Sequence, residues 1–252
     1  MFIRLLLYIN LFLIIGSCSS KKNIIYLQDV KDNINQYDYE EITVKPDDVL
    51  KISVTAAIPE AAMPFNRLAV NFPPANIDIA KLDGYLVNKD GFINFPSLGK
   101  IKLLGKTLNE SEKLIYDLLL ENKLLTNHNV EVKFLSLHFT ILGEVNIPGN
   151  HSYYRNNINI LEAIGLAGDL TINGERKNIR ILREHNGVQK LASLDLTNSE
   201  YLKSEYFQIK PGDVIIINPN TNRVKNAGII GNSGTLLSLL SFLVSIVLII
   251  NN

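Results

Sequence analysis

Hydrophobic positions change period several times along the 252-residue chain, and each change predicts an element. Residues 39–44 and 49–54 alternate or run apolar on either side of Lys45-Pro46-Asp47-Asp48. Proline pre-sets one turn dihedral there and aspartate can bond its own backbone, so the pattern predicts strand, tight turn, strand. Residues 57–83 hold Pro59, Pro64, Pro73 and Pro74 with no clean period and predict an irregular excursion. Residues 84–87 and 92–95 flank Asn88-Lys89-Asp90-Gly91, a hairpin signal with Gly91 where a positive φ is expected. Thr107-Leu108-Asn109-Glu110 then has capping-box spacing, and Leu114, Ile115, Leu118 and Leu119 share one helical face. From 130 to 134 the period returns to two, with Val130, Val132 and Phe134 on one side.

A second series follows the same plan. Residues 139–145 are strand-like and stop at Ile147-Pro148-Gly149. Asn159 can cap a short helix with Glu162 three positions on, Leu161 and Ile164 apolar and Gly168 ending it. Asn186-Gly187, between 179–183 and 188–191, is the strongest short hairpin signal in the chain. Residues 207–217 repeat the opening idiom: Lys210-Pro211-Gly212-Asp213-Val214-Ile215 against Lys45-Pro46-Asp47-Asp48-Val49-Leu50. The fold class is α+β, with two compact domains over 39–136 and 137–218, each a small sheet holding one helix.

The two ends differ from this middle. Arg4, an apolar run over 5–15 too short to span a bilayer, and Gly16-Ser17 have the layout of an export signal. Cys18, the single cysteine, stands directly after them, and Ile15-Gly16-Ser17-Cys18 resembles the lipobox of bacterial lipoproteins. By that resemblance residues 1–17 are cleaved, Cys18 carries a lipid, and 18–38 form a linker. At the other end residues 226–252 are uncharged, and a membrane-spanning helix is expected over 228–252. Its most apolar stretch, 236–250, would span roughly 22 Å at about 1.5 Å per residue, close to the apolar band of about 25 Å in bacterial outer membranes. Gly231, Gly234, Ser238, Ser241 and Ser245 fall within one arc of about 80° at about 100° per residue. Such a stripe admits three readings: close helix–helix contact in a lipid-embedded bundle, a water-lining face of a barrel, or a plain anchor whose serines bond back to their own backbone.

Composition narrows the function classes. Loss of Arg4 with the signal leaves 24 basic against 25 acidic residues in 235, and a neutral chain lacks the basic field that nucleic-acid binding requires. Tryptophan, the commonest sugar-stacking side chain, is absent. His128, His138, His151 and His185 are scattered without metal-ligand spacing, and no Gly-x-Ser-x-Gly elbow or phosphate loop appears. Glu40-Glu41 and Asp47-Asp48, being adjacent, point to opposite faces of any strand and form no acid–base pair. No catalytic residue, metal site or cofactor is expected.

The first series, Val44-Lys45-Pro46-Asp47-Asp48-Val49-Leu50-Lys51-Ile52, Gly84-Tyr85-Leu86-Val87, Asp90-Gly91 and Phe95-Pro96-Ser97-Leu98-Gly99 before a capped helix, resembles the polysaccharide export domain of outer-membrane polysaccharide export proteins. Leu142-Gly143-Glu144-Val145, Pro148-Gly149, Leu161-Glu162-Ala163-Ile164, Ala167-Gly168, Arg183 and Lys210-Pro211-Gly212-Asp213-Val214-Ile215 resemble the soluble-ligand-binding β-grasp (SLBB) domain that follows it in that family. Ile25-Tyr26-Leu27-Gln28-Asp29 is similar to the linker of Bacteroidetes members. Two departures stand out. Asp47 replaces a usual glycine, which suits a turn of negative φ only, and Gly168-Asp169 replaces Gly-Gly. Pro46, Asp48, Gly91, Pro148, Gly149, Pro211, Gly212 and Asp213 are expected to shape turns.

The resemblance implies a homo-oligomeric ring of outer-membrane lipoproteins with soluble domains in the periplasm. It further implies C-terminal helices forming a barrel for capsular or exopolysaccharide, and an inner-membrane co-polymerase of the tyrosine-kinase type as partner. No acidic run follows Cys18, which agrees with a periplasm-facing anchor. The alternative is a periplasmic saccharide-binding or scaffolding lipoprotein that anchors without forming a pore, with Tyr153 and Tyr154 stacking on a sugar or packing a sheet.

Overall fold

Strand β1 (Val49–Ala56) organises the first unit, because its apolar positions recur every second residue and face a common interior. It is the centre of a three-stranded antiparallel sheet, between β2 (Tyr85–Leu86) and β5 (His128–Phe134). In β5 burial alternates strictly, with His128, Val130, Val132 and Phe134 inside. Helix α1 (Leu108–Glu121) starts at a complete capping box: the Glu110 N–H donates to Thr107 Oγ1 (3.2 Å) and the Thr107 N–H donates to Glu110 Oε2 (2.9 Å). Its Ile115 and Leu119 pack inward over β5. A separate hairpin, β3 (Phe92–Phe95) and β4 (Gly99–Lys102), completes the unit. This computed structural model describes residues 23–29, 40–67, 83–185 and 187–220, and the helical positions Gly234, Ser238, Ser241, Phe242, Ser245 and Ile246.

The second unit is built on a five-stranded sheet in the order β10-β9-β12-β6-β7. Its strands are β6 (His138–Gly143), β7 (Gly149–Ser152), β9 (Gly174–His185), β10 (Val188–Leu194) and β12 (Val214–Pro219); β12 runs parallel to β6, and the other pairs are antiparallel. Phe139, Ile141, Ile179, Ile181, Ile215 and Ile217 are fully buried there, the alternating inner face of three central strands. Helix α2 (Ile160–Leu166) also begins at a complete capping box, Asn159 with Glu162, beside the short pair β8 (Ile158–Asn159) and β11 (Gln208–Ile209). Gly143 has φ +99°, and a Cβ there would lie 1.9 Å from the Ile217 carbonyl oxygen, so only glycine lets β6 pass the end of β12.

Several expectations need correction. The strand expected over 39–44 does not form in its described part. Residues 40–45 are irregular, held by single bonds from the Val44 N–H to Lys106 O and from the Gly105 N–H to Val44 O, with no strand alongside. The Asn88–Gly91 turn is present, with Gly91 at φ +82°, but it does not close a hairpin between its flanks. β2 pairs with β1 and β3 pairs with β4, because the Leu103 and Leu104 N–H groups both donate to Gly91 O and fold the chain after β4 back over the turn. Strands β4 and β7 had no period-two signature of their own. Within 57–83, residues 59–65 form two short helical turns.

Residues 1–22, with Cys18 and the expected signal, lie outside the described residues. So do Gly231 and most of the expected membrane helix at 228–252. Among the described residues no helix is long and apolar enough to cross a membrane.

Candidate functional site

The repeated idiom folds into two matching turns. In the first, Pro46 and Asp47 occupy the corner, the Asp48 N–H donates to Lys45 O (3.3 Å), and Asp48 Oδ2 accepts from the Lys45 N–H (2.8 Å). In the second, the Asp213 N–H donates to Lys210 O (3.1 Å), and Asp213 Oδ2 accepts from the Lys210 N–H (2.8 Å). The third residue is left-handed in both, Asp47 at φ +68° and Gly212 at φ +85°. The turn therefore does not keep the negative φ that would suit Asp47. The other departure, Asp169, is left-handed as well, at φ +71°.

Beyond the turn the two aspartates differ. Asp48 Oδ1 accepts from Ser136 Oγ (3.1 Å), and burial is the main cause that raises its carboxyl above the ordinary aspartate range. Asp213, 1% exposed, takes a bidentate pair from Arg183, Nε to Oδ1 at 2.9 Å and Nη2 to Oδ2 at 2.6 Å. The same guanidinium donates to Glu205 O (3.0 Å) and Gln208 O (2.7 Å), and it lies 4.7 Å from the Tyr206 ring centre. Every edge of the fork is used, which is how a buried ion pair is tolerated. The repeat itself showed the Asp213 turn; that Arg183 pairs with it depends on β9 lying beside β12, which the sequence does not display.

Both turns open onto one cleft of about 710 Å³ between the units, lined among others by Lys45, Pro46, Leu104, His185, Pro211 and Gly212. Lys210 Nζ bridges it to Glu40 Oε2 (2.8 Å), and Gln208 Nε2 donates to Glu40 O (3.0 Å) and to Asn157 Oδ1. Lys210 also holds the Glu40 carboxyl below its ordinary range. A second cleft, about 460 Å³, lies between α1, β5 and the second unit, lined by Glu112, Glu131, Lys133, Phe134, Tyr154 and Asn156 among others. The tyrosine pair divides: Tyr153 is buried against Phe139, while Tyr154 is 76% exposed at this cleft. Burial, reinforced by the charges of Asp213 and Asp48, pushes the Tyr153 hydroxyl well above the ordinary range.

The remaining expected residues are dispersed. Gly91 serves the first unit, and Pro148-Gly149, with Gly149 at φ +139°, starts β7 at the far end of the second. In the C-terminal segment the Ser241 hydroxyl donates to Ser238 O and the Ser245 hydroxyl to Ser241 O, each at 2.9 Å. Three histidine rings pair with backbone carbonyls: His128 with Tyr116, His138 with Ser136 and His151 with Ile147. Among the described residues no group of three His, Cys, Asp or Glu could hold a metal ion.

One site was missed altogether. Residues 23–29, expected as linker, dock on the second unit. The Leu27 N–H donates to Leu196 O (3.1 Å), and the Gln28 N–H to Thr197 O (2.8 Å). Tyr26 Oη donates to Asp169 Oδ1 (2.6 Å) beneath the Arg176 guanidinium. The left-handed aspartate is thus the acceptor for the linker tyrosine. Motif order alone carries no trace of that partnership.

The geometry so far is that of two α+β units meeting at a polar seam. Residues 36–135 match the family model described as polysaccharide biosynthesis/export protein. Over 140 residues the chain is 28% identical to the EPS I polysaccharide export outer membrane protein EpsA of Ralstonia solanacearum, covering 54% of this chain and 36% of that protein. Over 138 residues it is 29% identical to the protein of the same name from Ralstonia nicotianae, covering 53% and 35%. The match thus spans about a third of the length of these relatives. Residues 36–135 are thus similar to a polysaccharide biosynthesis/export family, and both relatives carry outer-membrane export names.

Proposed function

We propose that the chain is an outer-membrane lipoprotein subunit, lipidated at Cys18, that assembles into a homo-oligomeric ring and exports capsular or exopolysaccharide. The observation that carries this reading is the match of 36–135 to the export family, in a unit whose Asp48 turn is repeated at Asp213 in a β-grasp-like second unit. The soluble units stand in the periplasm, the first toward an inner-membrane co-polymerase of the tyrosine-kinase type. The C-terminal helices form the barrel, with Gly231, Gly234, Ser238, Ser241 and Ser245 facing neighbours or the bore. Transport through such a conduit is passive. Mixed polar walls of the kind seen at the seam bind sugar hydroxyls weakly, and weak binding allows exit as well as entry.

The back-bonding of Ser241 and Ser245 favours one competing reading, a single anchor helix on a saccharide-binding or scaffolding lipoprotein. Native mass of the lipidated protein in mild detergent separates the two. A closed ring of many subunits is expected, and a monomer or dimer overturns the channel. Leucine at 238, 241 and 245 together is expected to abolish surface polysaccharide while leaving the protein in the membrane; unchanged export would assign the helix to anchoring alone.

A further inference from the structure

The second unit has a long axis, and its two ends differ in chemistry. Strand β9 runs from Gly174 to His185, roughly 36 Å at about 3.3 Å per residue. At the His185 end lies the seam with the first unit. At the Gly174 end two loops pair: the Ile147 N–H donates to Ala167 O (2.9 Å), the Asn146 N–H to Asp169 O (3.1 Å), and the Thr171 N–H to Glu144 O (3.0 Å). Three aliphatic side chains face outward at this end, Ile147 (57% exposed) and Ile172 (65%) on the loops and Leu166 (47%) in the last position of α2. The acidic groups among them are each hydrogen-bonded, half-buried Glu144 accepting from Thr171 Oγ1 (2.7 Å) and exposed Asp169 from Tyr26 Oη (2.6 Å).

Both chain ends leave the folded units at this same end. Tyr26 is fixed to Asp169 and lies eight positions after Cys18, a reach of at most about 29 Å. Asn220 is fixed by its N–H to Asn173 O (2.6 Å) and by Nδ2 to Ile172 O (3.1 Å), immediately before the segment that leads to the apolar tail. Lys21 and Lys22 lie in the first connection, and Arg223 and Lys225 in the second.

We propose that the Gly174 end of the second unit is a membrane-contact surface, with Ile147, Leu166 and Ile172 seated at the headgroup–acyl boundary of a lipid bilayer. The proposal rests on the lipoprotein reading above. Its physical basis is that exposed aliphatic groups held within reach of a bilayer by two tethers gain more by entering the interface than by staying in water. The first unit is then held away from the bilayer by the length of β9.

The test uses the full lipidated chain in vesicles containing anionic lipid. Cys18 is the sole cysteine, so with its thiol lipid-linked an introduced cysteine is the one site for a polarity-sensitive fluorophore. Ile172→Cys and Ile147→Cys are expected to lose about half their emission or more to nitroxide-labelled lipid. Val188→Cys, 58% exposed at the opposite end of the same unit, is expected to lose almost none. Equal quenching at 172 and 188, or none at 172, overturns the proposal. Shielding of 172 from both nitroxide lipid and aqueous iodide assigns this end to a protein contact and also overturns it. Labelling of the parent chain would show that Cys18 is unlipidated and would remove both readings. A quiet parent with an unquenched 172 removes this one alone.

Discussion

At the scale of single residues, two aspartates in the same turn position are used for different ends. Asp48 and Asp213 each close a turn by accepting the N–H of a lysine three residues earlier, and only Asp213 also carries a guanidinium. Asp213→Ala leaves Arg183 charged, buried and unpaired, and is expected to cost about 3–5 kcal/mol, whereas the apolar pair Arg183→Met with Asp213→Leu costs much less. Urea unfolding of the single and the double variant measures the difference. Asp47 holds a left-handed φ that glycine holds more easily, although aspartate is among the more tolerant side chains there. Asp47→Gly is expected to raise stability by about 0.5 kcal/mol, read as an upward shift of the urea midpoint with an unchanged slope. The same substitution at 169 is expected to destabilise, since it removes the acceptor for Tyr26.

Elements divide by how local their causes are. The helix α1 boundary was legible because a capping box lies within four residues, and Thr107→Ala is expected to cost about 1 kcal/mol by thermal unfolding. Helix α2 and the strands β5, β9 and β10 were legible for the same kind of reason, a cap, a strict alternation or an Asn-Gly pair. The strand expected before Pro46 was not formed, although its pattern was as good as that of β1. A strand needs a backbone partner along its length, and among the described residues the chain facing 40–45 offers backbone bonds only at Gly105 and Lys106, both with Val44. The same reason moved the hairpin. Gly91 made its turn, but β2 was claimed by β1, and β3 took β4 instead.

At the scale of the whole molecule, the units meet at a seam that, among the described residues, carries the ion pair of Glu40 with Lys210. Lys210 lowers the Glu40 carboxyl, so this pair adds stability above the ordinary glutamate range and loses it as pH falls through the lowered value. Because Glu40 is largely solvent-accessible the effect is under about 1 kcal/mol, and Glu40→Gln is expected to remove most of the salt dependence of seam opening, read by hydrogen exchange at Gln208. By itself the sequence determined the α+β class, the succession of turns and caps, and the similarity of residues 36–135 to polysaccharide export proteins. All of these are written in contacts between residues a few positions apart. Only the tertiary structure decided that Arg183 belongs to Asp213, that Tyr26 belongs to Asp169 across 143 positions, and that both tethers leave one end of the second unit. Those are pairings between distant segments, and a linear pattern holds no record of which surfaces will be buried together.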